Sequence, residues 1–304
     1  MTVDSRSRIS IILVSYNSAE TIERSVASLL EYAPQCRHDI VLVDNASTDG
    51  SADLIAARFP NVHIIRNSGN VGFGVANNIG MSAFPADVYY LHNTDAYLQA
   101  DVLGVAVEVM REGGYGIAGL PLVYPDGSPQ SSSYSFTSPS KWLLQDLKVD
   151  RAVKRLATVP GVGGLMWSLL SNFKISRGLA ALQEAPQKST EKASVEPVDW
   201  VCGAAFLLTH DTLVATGGFD PKIFLYGEDE DLCRSARDHQ IRVGQIRGVV
   251  PVIHDFGWGK SKKVNPAVVR LKRESLLYCV GKWFPSRSLS AAMMRGIVNW
   301  RYGT

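Results

Sequence analysis

A chain of 304 residues is long enough to bury a large core, in one elaborate domain or two modest ones. With 46% hydrophobic and 20% charged residues it has the composition of a folded protein, which excludes disorder as the default, and a net charge of +2 gives a nucleic-acid partner no overall attraction. No run of eighteen apolar residues occurs, the N-terminal MTVDSRSRIS lacks the apolar core of a signal peptide, and Cys36, Cys202, Cys233 and Cys279 show neither zinc nor disulfide spacing, so a cytoplasmic protein with reduced, packing cysteines is expected.

The first hundred residues alternate between strand and helix. ISIILVSY (9–16) is apolar and β-branched without alternation, as in a strand covered on both faces. The helix that follows carries Ile22, Val26, Leu29 and Leu30 at helical spacing, with Ser18 as its expected N-cap. DIVLVDNAS repeats the buried strand and leads through a turn into a second helix. NVHIIRN is a third strand, VGFGVANNIGMSAF a loop entering a third helix, and DVYYLHNTDAYL a fourth strand. This is the pattern of a mostly parallel central sheet flanked by helices, the α/β class.

Residues 125–140 and 185–197 are rich in Pro, Gly, Ser or polar residues and read as loops around a stretch with no evident chemistry, an insertion at about 126–196. VDWVCGAAFLLT then reads as a strand, GGFDPKIFLYGEDEDLCRSARD as a loop entering a helix, and GVVPVIHDFG as a last strand. Beyond residue 257 the segment is basic and helical: Lys260, Lys262, Lys263, Arg270, Lys272, Arg273, Lys282, Arg287, Arg295 and Arg301 face the single acid Glu274, interleaved with Trp283, Phe284, Trp300 and Tyr302. Such a segment suits either a solvated helical face or an anionic membrane surface.

Polar groups collect where strands end: Asp44 with Asn45, Asn70 through Asn78, Asn93 with Asp95, and His254 with Asp255. In a parallel sheet these ends share an edge, the usual ligand edge of open α/β folds. Each has a plainer reading: Thr94 or Asp95 can cap a helix starting at or before Asp101, and a single histidine is more often a satisfied core residue. GFGVANNIG lacks the third glycine of a dinucleotide loop and follows the wrong strand. Glu228, Asp229, Glu230 and Asp231 exceed what capping requires, and only one or two of them can face a cleft, one as a general base. A carboxylate with an imidazole, Asp95 with His254, suits Mn²⁺.

VSYNS, VDNASTDGS, NSGNVGFGVANNIG, HNTDA, VDWVCGAAFLL and GGFDPKIFLYGEDEDLCRSAR stand in the order and spacing of glycosyltransferase family 2, and the chain resembles its rhamnosyltransferase-like subgroup over about 8–125 and 196–280. The resemblance implies a GT-A fold, inverting transfer from a nucleotide-diphospho-sugar, and a divalent cation, Mn²⁺ or Mg²⁺. It implies that Asp44 contacts the nucleoside, that Asn77 or Asn78 holds the nucleotide sugar, and that Ser15, Asn45, Asn93 and Thr94 complete that set. Asp95 matches the last carboxylate of the family's Asp-x-Asp element, whose first position is Asn93 here, and His254 matches its late metal-binding histidine. The base is expected at Asp229, with Glu228 second.

The chain thereby reads as a catalytic domain over 1–256 followed by a basic segment over 257–304. Its expected activity moves rhamnose or another hexose from a dTDP- or UDP-sugar to a glycan or polyprenyl-linked acceptor in cell-surface polysaccharide synthesis. No nucleic-acid partner is expected, and the site of action is the cytoplasm, at the inner face of the membrane if the basic segment docks there. The alternative is a sugar-nucleotide-binding protein that has lost catalysis.

Overall fold

A computed structural model of the chain describes residues 8–32, 34, 36–146, 192–255 and 266–303. Most of the expected insertion, the apolar GVGGLMWSLL within it, the 256/257 boundary and Lys260, Lys262 and Lys263 lie outside the described residues.

The chain begins β1 (Arg8–Ser15), α1 (Ile22–Glu31), β2 (Arg37–Asp44), α2 (Ser51–Arg58), β3 (His63–Arg66), α3 (Phe73–Ala83) and β4 (Val88–Asn93), the alternation read from the sequence. There follow β5 (Ala96–Tyr97), α4 (Leu103–Glu112), β6 (Tyr115–Gly119), β7 (Leu122–Val123), β8 (Pro129–Gln130), β9 (Ser133–Tyr134) and α5 (Pro139–Asp146). After the gap come β10 (Ser194–Pro197), β11 (Trp200–Val201), β12 (Ala205–Thr209), α6 (His210–Thr216), α7 (Glu228–Asp238), β13 (Arg242–Arg247), β14 (Val252–His254), α8 (Pro266–Trp283) and α9 (Leu289–Tyr302).

Eight strands form the central sheet in the order β10-β13-β6-β12-β4-β1-β2-β3, with β12 antiparallel to both its neighbours and β10 an antiparallel edge. The sheet is therefore mixed and largely parallel. Its strands alternate sides with period two. Ile9, Ile11, Leu13, Leu42 and Tyr90 pack with Ile22, Val26 and Leu29 of α1 and Leu103, Ala106 and Met110 of α4. Ile12, Val41, Val43, Tyr89 and Leu91 pack on the other side with Ala76 and Met81 of α3 and Leu232, Cys233 and Ala236 of α7. Both faces are covered, which is why these strands read as unbroken apolar runs; each such side chain contributes roughly 1.5–3 kcal/mol of burial.

Several local expectations give way. Ser18 does not cap α1 with its side chain: its carbonyl accepts the Thr21 and Ile22 amides, and its hydroxyl lies 2.7 Å from Ser15 Oγ. Thr94 and Asp95 cap no helix, since α4 begins only at Leu103. The fourth strand breaks at these two residues, and Ala96–Tyr97 leaves the central sheet to pair with β14. The strand read from VDWVCGAAFLLT is likewise interrupted by a turn at 202–204. The 125–140 loop contains β8 and β9, two-residue strands whose order comes from neighbouring edges that a polar sequence does not announce.

A small second sheet, β5-β14-β7-β8, stands beside the main one. The C-terminal helices α8 and α9 pack on each other through Leu276, Val280, Ala291, Met294 and Val298. Much of their expected basic surface is spent on internal contacts. Lys282 bridges Asp220 and Asp231, Arg273 holds Asn299, and the Lys272 ammonium lies over the Tyr226 ring.

Candidate active site

Parallel registry places Ser15 beside Asp44 and Val14 beside Asn93, so the ends of β1, β2 and β4 lie along one sheet edge. Asp44 is buried, and both its carboxylate oxygens accept the Ser47 amide at 3.3 Å, drawing the chain after β2 into a tight turn. Ser15 Oγ lies 2.7 Å from Ser18 Oγ and 3.3 Å from Ser51 Oγ. Asn45 donates to Gly72 O and accepts from the Asn67 amide at 2.8 Å, tying β2 to the entry of α3. Asn17 and Ala46, just past β1 and β2, have positive φ (54° and 59°), a strain typical of functional strand ends.

Asn77 and Asn78 are engaged within the protein. Asn77 donates to Phe73 O one turn back in α3, and Asn78 makes a paired contact with the Phe219 backbone, donating to its carbonyl at 2.8 Å and accepting its amide at 3.0 Å. Asn78 thereby clamps α3 to the loop that leads into α7.

Asp95 and His254 meet as the strand-end pattern suggests. Antiparallel pairing of β14 with β5 sets His254 opposite Ala96, and Nε2 lies 3.3 Å from Asp95 Oδ1 and 3.5 Å from Asn93 Nδ2. The Asp255 amide donates to Asp95 O, which holds the two strand ends together. Among the described residues no three His, Cys, Asp or Glu side chains gather around one point, so Asp95 and His254 offer two protein donors. Two donors fit a Mg²⁺- or Mn²⁺-type ion that takes its remaining oxygens from a diphosphate and water. Thr94 is half-buried in the turn between them.

The four acids at the start of α7 divide by partner. Glu230 accepts the Thr137 amide and hydroxyl and the Arg234 guanidinium; Asp231 accepts Lys282 Nζ at 2.7 Å and Trp283 Nε1 at 2.8 Å. Both are structural ties. Asp229 Oδ2 accepts the Gly203 amide at 3.1 Å and its Oδ1 the Glu230 amide at 2.9 Å, while Glu228 is 8% exposed and its buried Oε2 has no hydrogen-bond partner among the described residues. Burial, then the adjacent Asp229 carboxylate, pushes Glu228 up to about 8; burial pushes Asp229 up to about 6. Two neighbouring carboxyls raised in this way suit proton transfer near neutrality. Tyr226 (φ 70°) and Gly227 (φ 101°) turn the chain sharply into this helix.

Cys202, in the turn between β11 and β12, links the two halves of the site. Its neighbours Gly203 and Ala204 reach both: the Gly203 amide donates to Asp229 Oδ2 at 3.1 Å, and Ala204 O accepts the Asn93 amide at 2.9 Å, two residues before Asp95. Burial and then Asp229 push the Cys202 thiol up to about 12. Beside it Tyr134 and Trp200 stack with centroids 4.4 Å apart. Gly203 and Gln130, a contact of His254, escaped the sequence reading; VCG inside an apolar run signalled a break, whereas Gln130 carried no signal at all.

The profile of glycosyl transferase family 2 matches residues 10–168, just over half of the chain. The chain is 26% identical over 238 residues to an N-acetylglucosaminyl-diphospho-decaprenol L-rhamnosyltransferase of Mycobacterium tuberculosis, covering 73% of this chain and 68% of that protein. It is 25% identical over 247 residues to the low-salt glycan biosynthesis hexosyltransferase Agl10 of Haloferax volcanii, covering 81% and 67%. Among solved structures, the mannosyltransferase PcManGT of Pyrobaculum calidifontis in complex with GDP-Man and Mn²⁺ superposes with a TM-score of 0.55 at 15% identity, covering 99% of this chain and 70% of that one. S. aureus TarS 1–349 in complex with UDP-GlcNAc superposes with a TM-score of 0.54 at 15% identity, covering 96% and 71%. These structural likenesses carry the fold, and the sequence match carries the family: the chain belongs to glycosyltransferase family 2, has the GT-A fold, and is a glycosyltransferase that takes its sugar from a nucleotide sugar.

Proposed function

We propose that this glycosyltransferase is an inverting enzyme that moves rhamnose or another hexose from a dTDP- or UDP-sugar to a glycan or polyprenyl-linked acceptor in cell-surface polysaccharide synthesis. The observation that carries the reading is the turn at 202–204, which bonds Asp229 through the Gly203 amide and the end of β4 through Ala204 O, two residues before the Asp95–His254 pair. Relatives support the finer terms: the mycobacterial relative's name specifies a decaprenol-linked acceptor and L-rhamnose, and the haloarchaeal one a hexose.

In this reading Ser15, Asp44 and Asn45 line the nucleoside end, and Asn93 and Thr94 lie toward the diphosphate. Asp95 and His254 would hold a divalent cation, Mn²⁺ or Mg²⁺, which when bound neutralises charge that develops on the leaving diphosphate. Asp229 takes the acceptor hydroxyl proton as that oxygen attacks the anomeric carbon, so one displacement inverts the configuration. Its hydrogen bond from Gly203 fixes the direction in which the other lone pairs point. Glu228, buried beside it, stays protonated at neutral pH and spares Asp229 a second adjacent negative charge.

No helix among the described residues is long and apolar enough to cross a membrane. Contact with a polyprenyl-linked acceptor at the inner membrane face is ascribed to α9, whose Leu289 and Trp300 are 78% and 72% exposed, near the exposed Arg287 and Arg295.

The test is release of nucleoside diphosphate from a panel of dTDP-, UDP- and GDP-sugars by purified protein with Mn²⁺ or Mg²⁺. Release from one donor, lost in Asp95→Ala, is expected. Donor binding without turnover, even with polyprenyl-diphospho-sugar acceptors supplied, would instead favour a binding protein that has lost catalysis.

A further inference from the structure

Strand β8 ends in Gln130, whose Oε1 lies 2.9 Å from His254 Nδ1. The other imidazole nitrogen, Nε2, faces Asp95 Oδ1 at 3.3 Å and Asn93 Nδ2 at 3.5 Å. Side-chain chemistry narrows what this means. A neutral imidazole has one N–H and one lone pair; an amide oxygen at Nδ1 accepts a hydrogen, and an amide nitrogen near Nε2 donates one. Both contacts favour a hydrogen on Nδ1, whereas the Asp95 carboxylate 3.3 Å from Nε2 accepts a hydrogen there; a divalent cation between Nε2 and the carboxylate would take that hydrogen's place and leave the Nδ1–H tautomer.

We propose that Gln130 is a positioning residue for the cation site: by accepting the Nδ1 hydrogen it holds His254 in the tautomer and ring orientation that present Nε2 and Asp95 Oδ1 to one divalent cation. This rests on the assignment of Asp95 and His254 as the cation pair.

The fold gives the arrangement its rigidity. In the small sheet Gln130 pairs with Leu122, Leu122 with Val252, and His254 with Ala96, so the register of four strands fixes the backbone positions of Gln130 and His254 relative to the residue that follows Asp95. The Tyr124–Gly127 turn sets the β7–β8 register through the Tyr124 amide to Ser128 O and the Gly127 amide to Tyr124 O, with Gly127 in the left-handed region (φ 79°). The second buried histidine nearby makes the contrast. His92 sets Nε2 on Ala96 O at 2.9 Å and Nδ1 on Tyr90 OH at 2.8 Å, which commits both nitrogens to the fold, and burial lowers it to about 4. A carbonyl or carboxamide oxygen behind a ligating imidazole raises its basicity and fixes its plane, and loss of such a partner typically weakens metal binding by about 10–100-fold.

The experiment is a titration of Mn²⁺ followed by electron paramagnetic resonance, with UDP, dTDP or GDP present, on wild type, Gln130→Leu, Gln130→Glu and Asp95→Ala, alongside ¹⁵N spectra of the histidine side chains with diamagnetic Mg²⁺ and the same nucleotide. Expected are a 10–100-fold weaker Mn²⁺ affinity in Gln130→Leu, recovery in Gln130→Glu, which keeps an acceptor oxygen, and a wild-type spectrum of the Nδ1–H tautomer at His254. An unchanged affinity in Gln130→Leu while Asp95→Ala weakens binding overturns the role of Gln130 alone. Unchanged affinity in both overturns the cation pair itself. The wild-type spectrum needs no variant to fold, and an Nε2–H tautomer there overturns the proposal.

Discussion

Gly203 donates its amide to Asp229 Oδ2 at 3.1 Å, joining the turn between β11 and β12 to the first turn of α7 at the candidate base. The Glu230 amide holds the other oxygen, Oδ1, at 2.9 Å, so Asp229→Asn should keep one of these two backbone contacts while removing the proton acceptor. Transfer is expected to fall by about 10²–10⁴-fold while nucleotide-dependent thermal stabilisation persists. Loss of both together would point to a structural role.

The raised carboxyls predict two pH effects of opposite sign. Activity should rise as pH passes about 6, where Asp229 loses its proton. Stability should run the other way. Between the ordinary carboxyl range and about 8 the folded protein holds a proton on Glu228 that the unfolded chain has released, so this stabilisation is complete at low pH and is lost as pH climbs through 8. Glu228→Gln should flatten the decline and stabilise the protein at pH 8 by about 1 kcal/mol or more, read from denaturant melts at pH 5 and 8.

Glu230 and Asp231 should behave as structure. Glu230→Ala leaves the Thr137 amide and the Arg234 guanidinium without their carboxylate and is expected to cost about 2–4 kcal/mol. Lys282→Met removes a partner from the buried Asp231 but keeps the Trp283 contact; Lys282 is 39% exposed on its side chain, so screening reduces the expected loss to about 1–2 kcal/mol. Urea midpoints would measure both, and a loss larger for Lys282→Met than for Glu230→Ala would contradict the ranking.

Gly72 should tolerate no side chain. Its φ is 88°, and an added Cβ would lie 2.6 Å from Phe224 O, a backbone atom that cannot turn aside. Gly72→Ala is expected to cost about 2 kcal/mol or more and to loosen the Asn45 contact to Gly72 O. Gly50→Ala is the comparison: its φ of 80° and ψ of 5° lie in the left-handed helical region, milder for alanine than the φ of 88° and ψ of 167° at Gly72, and no atom stands within 4 Å of the added Cβ, so a smaller loss is expected there.

Membrane contact through α9 predicts that vesicles rich in anionic lipid carry the protein upward in flotation more than neutral vesicles do. Ala291, Met294 and Val298 face α8, whereas Leu289 and Trp300 lie outward. The double variant Leu289→Ser, Trp300→Ser should therefore reduce flotation without shifting the melting temperature. Equal flotation on neutral and anionic vesicles would remove charge from the account.

The strands and helices of the first hundred residues are legible in the order of the residues alone, because strands covered on both faces must be apolar throughout and helices between them must carry an apolar stripe. So is the placing of Asp44 and Asn93 at strand ends, with Asp95 in the turn just beyond, since parallel strands alternating with helices bring their ends to one edge. Which of four adjacent acids face the site was decided only in three dimensions: Glu230 and Asp231 are taken by Thr137, Arg234, Lys282 and Trp283, residues up to 93 positions away. Asn78 turned inward for the same reason, finding its partner at Phe219, 141 positions on. Gln130 is the extreme case. A two-residue strand has no periodicity to read, and its register comes wholly from the neighbouring edge of β7, so the contact with His254 exists only once the small sheet has formed.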